Sequence, residues 1–277
     1  MKERLGSRVF ANSIFNFTSV AVNRVGALIF TIILARMLQP ELFGLYNLVL
    51  TIILIVLTIG NFGIDEALTR YVSANYEKKP KKARAYFIYL FKLKTYILLA
   101  SVIFLIVLAK PISIFYENPE LSFILIVSVL YLFLMSLSQF FSSLFYTFQK
   151  VKIYIVKETI FQVSRIALFP LILFFAVSFW VSGVFLILAL SSIITLIFSL
   201  IILTKKYKFL FIKNEIKIKK SDKKELFNYL KFLAIGSITG VFLLYVDVII
   251  LGKFVALEFI GFYRAAITIV LSVMAIV

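Results

Sequence analysis

The sequence predicts an all-α integral membrane protein of about eight transmembrane helices, a six-helix lobe followed by the first two helices of a second, parallel repeat. Three observations predict it. The chain of 277 residues is 62% apolar and only 16% charged, with a mean hydropathy of +1.06, too little polar surface to coat a soluble globule. Apolar stretches near the 20 residues that cross about 30 Å of hydrocarbon recur along it. The landmarks of an early helical hairpin return 217 residues later.

The candidate helices run Val9–Arg36, Leu42–Phe62, Arg84–Ala109, Pro119–Phe148, Tyr154–Val177, Phe179–Leu203, Leu226–Gly252 and Glu258–Val277. The first follows the basic stretch Met1–Arg8 and has no small-residue cleavage site, so it reads as a retained helix and not a signal peptide. The connections alternate in charge. Met1–Arg8, Ile64–Lys94, Lys150–Glu158 and Lys205–Lys231 hold 24 of the 30 Lys and Arg, whereas the opposite turns hold only Arg36, Lys110 and Lys253. Positive charge stays on the cytoplasmic side of short loops, so the N-terminus is expected in the cytoplasm. The same bias accounts for the net charge of +17 without nucleic acid, and the Lys78–Lys82 and Lys205–Lys224 runs read as anchors attracted to anionic lipid heads.

Under the offset of 217, Leu34 pairs with Leu251, Arg36 with Lys253, Glu41 with Glu258, Gly44 with Gly261, Tyr46 with Tyr263 and Thr51 with Thr268. Each landmark has a local structural role. The basic residue ends one span, the acid meets the next helix's N-terminal dipole, and the glycine permits close approach. Convergence of two hairpins on one turn pattern is the plainer alternative to duplication. Six helices before the restart return the chain to its starting side, so the units are parallel, an arrangement that places a transporter's substrate between its halves. The expected layout is residues 1–204 for the lobe, 205–225 for a basic cytoplasmic loop and 226–277 for the next hairpin. Val277 falls inside an apolar segment, so the chain reads as a fragment whose second unit needs about four more helices.

Ionisable residues inside the spans cost roughly 2.5 to 3.5 kcal/mol each and need partners or water. Arg24 lies midway along the first helix near Asn16, Thr18 and Asn23, and Arg165 lies midway along the fifth, where Glu158, Gln162 and Arg165 share one helical face. Asp247 is the deep acid of the seventh helix. A guanidinium donates paired hydrogen bonds to phosphate, so these residues suit a cationic cavity, and the competing reading is an interhelical ion pair or a bond to a backbone carbonyl. Arg70 and Arg264 are weaker candidates that can snorkel to an interface. Cysteine and histidine are absent, which removes thiolate chemistry and the usual general base. Asp65 and Glu66 lack further convergent ligands. No catalytic group, metal or cofactor is therefore assigned.

The stretches LARMLQPELFGLYNLVLTI, GIDEALTRYVSANYEKKPKKAR and YVDVIILGKFVALEFIGFYRAA resemble polysaccharide biosynthesis flippases of the MOP (MATE-like) superfamily, which holds Wzx-type O-antigen flippases and the lipid II flippase. The resemblance covers most of the chain. It implies two six-helix lobes forming a V around a cationic cavity in the plasma (inner) membrane, and alternating access that exports a polyprenyl-pyrophosphate-linked oligosaccharide. It also implies Arg24 and Arg165 as cavity residues, Asp247 as part of a seventh-helix acidic pattern, and as partners membrane lipids and the polymerase or glycosyltransferases of envelope polysaccharide assembly. The chain departs from the family in length, since complete members have twelve or fourteen helices. The runner-up is a cation-coupled MATE-type multidrug exporter; a membrane scaffold or a glycosyltransferase is the alternative of another class.

Overall fold

The computed structural model describes residues 2–174, 177–212 and 218–274, and for residues 2–19, 174, 178, 242 and 271–274 only the course of the backbone. Among the described residues there is no strand. Nine α-helices run in order: α1 Lys2–Met37, α2 Gln39–Asn61, α3 Ile64–Ser73, α4 Pro80–Phe115, α5 Pro119–Thr147, α6 Val151–Leu168, α7 Trp180–Lys206, α8 Lys220–Phe254 and α9 Leu257–Met274. All but α3 correspond to an expected span. The last expected residues, 275–277, lie outside the described ones, as do the side chains of Asn16 and Thr18.

The helix ends follow local chemistry. Asn118 caps α5 by accepting the Leu121 amide at 3.2 Å, with Pro119 and Glu120 in the first turn. Pro40 and Glu41 likewise stand in the first turn of α2, which has no side-chain cap. Among the described residues, five helices are long and apolar enough to cross a membrane, or six if α8, bent by 44° between Val241 and Leu243, counts as one span. The chain is thus an all-α, multi-pass membrane protein.

Two expectations about elements are corrected. The stretch between the second and third expected spans is not all connection: it contains α3, and α4 begins at Pro80 and not Arg84. In α3, Ile64, Ala67, Leu68, Tyr71 and Val72 are buried, the stripe of an amphipathic helix packed along one side. The helix expected to reach Val177 ends its α-helical course at Leu168 and passes into 3-10 turns at Phe169–Phe174. Pro170 has no amide hydrogen and its ring obstructs the preceding turn, so regular hydrogen bonding stops there.

Helices α5 and α7 pack through small polar residues. Ser136, Ser138 and Ser142 are buried opposite Ser191, Ser192, Thr195 and Ser199, and the Ser138 and Thr195 hydroxyls are 3.1 Å apart. Small hydroxylated residues let spans approach closely where lipid offers no hydrophobic drive. The loops divide into a basic end, with the lysine runs, and an opposite end, with the α1–α2, α4–α5 and α8–α9 turns.

The α8–α9 hairpin lies against α2 at the opposite end. A Cβ on Gly44 would sit 1.7 Å from the Leu257 carbonyl oxygen, and one on Gly261 would sit 2.7 Å from the Pro40 carbonyl oxygen; each would also lie 3.3 Å from the other glycine's amide nitrogen. The two hairpins therefore cross backbone to backbone at their matching glycines. Beside the crossing, Lys253 donates to the Phe115 carbonyl at 2.8 Å and pairs with Glu117 at 2.6 Å, and the Tyr116 hydroxyl donates to the Ile249 carbonyl at 3.2 Å. The Lys253 ammonium holds the exposed Glu117 carboxyl below its usual range.

Candidate functional site

Helices α1, α2, α3, α5, α6 and α7 line a polar cavity of about 380 Å³. Asn23 reaches it from α1, Asn61 from the end of α2, Asp65 and Glu66 from α3, Ser138, Gln139 and Tyr146 from α5, Tyr154, Lys157 and Glu158 from α6, and Thr195 from α7. The local sequence explains why polar groups meet there. The left-handed pair Phe62 and Gly63, with φ of 51° and 72°, turns the chain sharply after α2, so α3 starts with its two acids against the lobe interior.

Charges in the cavity are paired in specific ways. Lys94, only 1% exposed, reaches from α4 to Asn61 Oδ1 at 2.7 Å and Asp65 Oδ1 at 3.4 Å. Lys157 Nζ lies 2.8 Å from Glu158 Oε1, and both residues are buried. Asn61 Nδ2 donates to Glu66 Oε2 at 3.2 Å. Buried ions in apolar surroundings persist only when matched in this way.

Above Glu158 on α6 the polar face continues into the protein. Gln162 donates to Asn23 Oδ1 at 3.1 Å, and it passes α1 at Gly26, where a Cβ would lie 2.6 Å from Gln162 Cγ. Arg165 is nine-tenths buried, its guanidinium 4.4 Å from the Phe30 ring centroid and 5.4 Å from that of Phe161. The stacking supplies cation–π attraction. Its Nε and Nη2, together with Gln162 Oε1, have no protein hydrogen-bond partner among the described residues.

The structure brings Asn23, Gln162 and Arg165 together and sets Arg70 at the mouth. A groove of about 490 Å³ lined by Arg70 and Thr69 shares Asp65, Glu66, Ser143 and Tyr146 with the cavity, so access is from the basic end. Arg70 also lies 4.3 Å from the Tyr229 ring centroid on α8. Arg24 is exposed and outside the cavity lining, although its neighbour Asn23 is within it.

Asp247 and Arg264 lie elsewhere, in the packing of α2, α8 and α9. Asp247 accepts from the Tyr263 hydroxyl and from the Val248 amide, and Arg264 donates to Thr51 Oγ1 at 3.1 Å. Of the remaining hairpin landmarks, Glu41 and Glu258 are exposed in the first turns of α2 and α9, and Tyr46 is buried beside Phe185. Sequence reasoning missed Lys94, Lys157, Gln139 and Gly26. The two lysines fall in stretches already explained by the cytoplasmic bias of positive charge, Gln139 carries the same signal as Asn23 and Gln162, a polar amide inside an apolar span, and nothing in a single sequence marks Gly26.

A family model described as polysaccharide biosynthesis protein matches residues 9–277. The chain belongs to the polysaccharide biosynthesis protein family. That family includes the Wzx-type flippases, and membership supports a transport role in polysaccharide synthesis with handling of lipid-linked glycan. No curated protein and no solved structure matches the chain.

Proposed function

We propose that this polysaccharide biosynthesis protein contributes one lobe and the following hairpin of a flippase that exports polyprenyl-pyrophosphate-linked oligosaccharide across the inner membrane by alternating access. One observation carries the reading. A cavity lined by Asp65, Glu66, Lys157 and Glu158 is continuous with the Arg70 groove at the basic end, and at the opposite end the hairpins cross at Gly44 and Gly261. Access from the basic end is what a carrier loading there needs before it reorients. In this reading the basic end is cytoplasmic, residues 1–204 form the first unit, and 226–277 begin a second, parallel one. Arg165, Gln162 and Asn23 form the deep polar wall, Arg70 and Arg24 supply positive charge toward the cytoplasmic leaflet, Arg264 joins the second hairpin to the first through Thr51, and Asp247 joins α8 to α9 through Tyr263.

A second reading, cation-coupled export of small amphiphiles, is favoured by the carboxylates of Asp65, Glu66 and Glu158 around the cavity. Complementing a glycan-export deletion strain with the gene separates the two. Arg24→Ala and Arg165→Ala are expected to abolish surface glycan while insertion stays normal, and Arg165→Gln, which fills more of the space around Phe30 and Phe161 than alanine does, is expected to lose it as well. Normal surface glycan with all three variants, or drug efflux lost while glycan export persists, would remove the flippase assignment.

A further inference from the structure

The guanidinium of Arg165 is held by aromatic rings and left open along one edge. It lies over Phe30 at 4.4 Å and Phe161 at 5.4 Å. The two nitrogens with no protein partner among the described residues, Nε and Nη2, are the pair whose N–H bonds run parallel on one side of the group. That edge is the one a phosphate or carboxylate grips with two oxygens. Buried donors are almost always paired, so an open edge on a residue nine-tenths buried points to an acceptor brought by a ligand.

This edge is set off from the cavity that opens at the basic end. Helices α1 and α6 lie side by side, and from the basic end their contacts come in the order Asn23 with Gln162, Gly26 with Gln162, and Phe30 with Arg165. Asn23, Glu158 and Phe161 line the cavity, whereas Gln162 and Arg165 do not. The 3.1 Å bond from Gln162 to Asn23 Oδ1 therefore crosses from α6 to α1 between the cavity and Arg165. Gly26 makes the crossing fit, because a Cβ there would lie 2.6 Å from Gln162 Cγ and 2.7 Å from Gln162 Oε1. That Oε1 has no partner of its own among the described residues, so one neutral hydrogen bond holds the side chain across the gap.

We propose that the Gln162–Asn23 bond is a latch between the loading cavity and a deeper phosphate station at Arg165, which the substrate's diphosphate reaches only when the latch opens. The identity of the ligand rests on the flippase reading; the latch rests on geometry. A ligand whose site is exposed only in the open form binds more weakly in proportion to the closed fraction. One neutral bond keeps that fraction modest, and two charge-assisted bonds to an oxyanion outweigh it.

The test measures binding of inorganic pyrophosphate to the purified full chain in neutral detergent, from the rise of the unfolding midpoint with concentration, at constant ionic strength. Asn23→Ala removes the acceptor of the latch at a half-buried position, and Gly26→Ala displaces Gln162 while altering neither latch residue. Each is expected to tighten the apparent Kd about three- to tenfold, the range that one neutral hydrogen bond allows. Adding Arg165→Gln should abolish the gain, and adding Arg70→Gln, at the mouth, should leave it. Arg165→Lys keeps the charge without the paired edge, so it should also lose most of the gain and covers a failure of the glutamine variant to fold. The proposal is overturned if neither opening variant tightens binding, if the gain survives Arg165→Gln, or if phosphatidylglycerol gives the same Arg165-dependent gain. Surface glycan that does not depend on Arg165 would instead remove the flippase reading and leave the latch in place.

Discussion

Lys94 shows how far burial can invert the role of a charge. In the sequence it is one of many cytoplasmic-side cations, yet the fold hides it between Asn61 and Asp65. Removing one partner of a buried pair costs about 3–5 kcal/mol, whereas replacing both with apolar residues is often close to neutral. Lys94→Met is therefore expected to lower the unfolding midpoint sharply, and Lys94→Met/Asp65→Leu to recover much of the loss; equal destabilisation by both would show that the pair is not the determinant. The glycines separate just as clearly. A methyl at Gly44 meets backbone that cannot rotate away, so Gly44→Ala should cost about 2 kcal/mol or more by overpacking. Nothing lies within 4 Å of a Cβ at Gly236, so Gly236→Ala should be neutral or stabilise α8 by about 0.5–1 kcal/mol. Self-comparison identifies Gly44 and Gly261 as equivalents, but an offset in sequence carries no distance, so their contact was not legible. Glu117 adds a small dependence on pH. Its folded-state carboxyl titrates below the usual range, so its stabilisation is present at neutral pH and is lost as pH falls through that lowered range. Midpoints of Glu117→Gln and the unaltered chain should converge in acid and differ slightly at pH 7.

At the scale of elements, spans were legible wherever apolar length alone decides, and α2, α5 and α7 lie close to their expected limits. Helix α3 was not, because ten residues with alternating burial and charge resemble a solvated loop to any window sized for a membrane. Its position depends on the corner before it. At Gly63, φ is +72° and a Cβ would lie 2.3 Å from Leu233 Cβ, so Gly63→Ala combines backbone strain with a clash. The expected outcome is faster amide exchange through α3 and weaker protection around Leu233, with α5 and α7 unchanged; unaltered exchange in α3 would refute this account of the corner. The end of α6 rests on Pro170 in the same way. Pro170→Ala should restore a backbone donor and slow exchange across Phe169–Phe174 as α-helical bonding extends past Leu168.

For the whole molecule, the charge pattern gave the expected sidedness and the structure gave the distribution of access, with the ionised cavity open at one end and the hairpins crossed at the other. The absence of cysteine allows a direct check. Single cysteines at the exposed positions Glu120 and Ser221 should react with a membrane-impermeant reagent from opposite faces of sealed vesicles, and labelling of both from one face would exclude this topology. The ionised cavity was only partly legible for a reason of the same scale. Asn23, Gln162 and Glu158 declare themselves as polar residues in apolar helices, but the partners that complete the cavity come from stretches whose charge already has an explanation. The crossing of Gly44 and Gly261 has the form of an isologous contact, in which each surface meets its own equivalent, enclosed within one polypeptide. Because the obstacle to a side chain at either position is carbonyl backbone, no compensating change of a neighbouring side chain can make room for it. Suppressor screens starting from a bulky residue at Gly44 should therefore return reversion to a small residue, and Gly261 should behave identically from its own side.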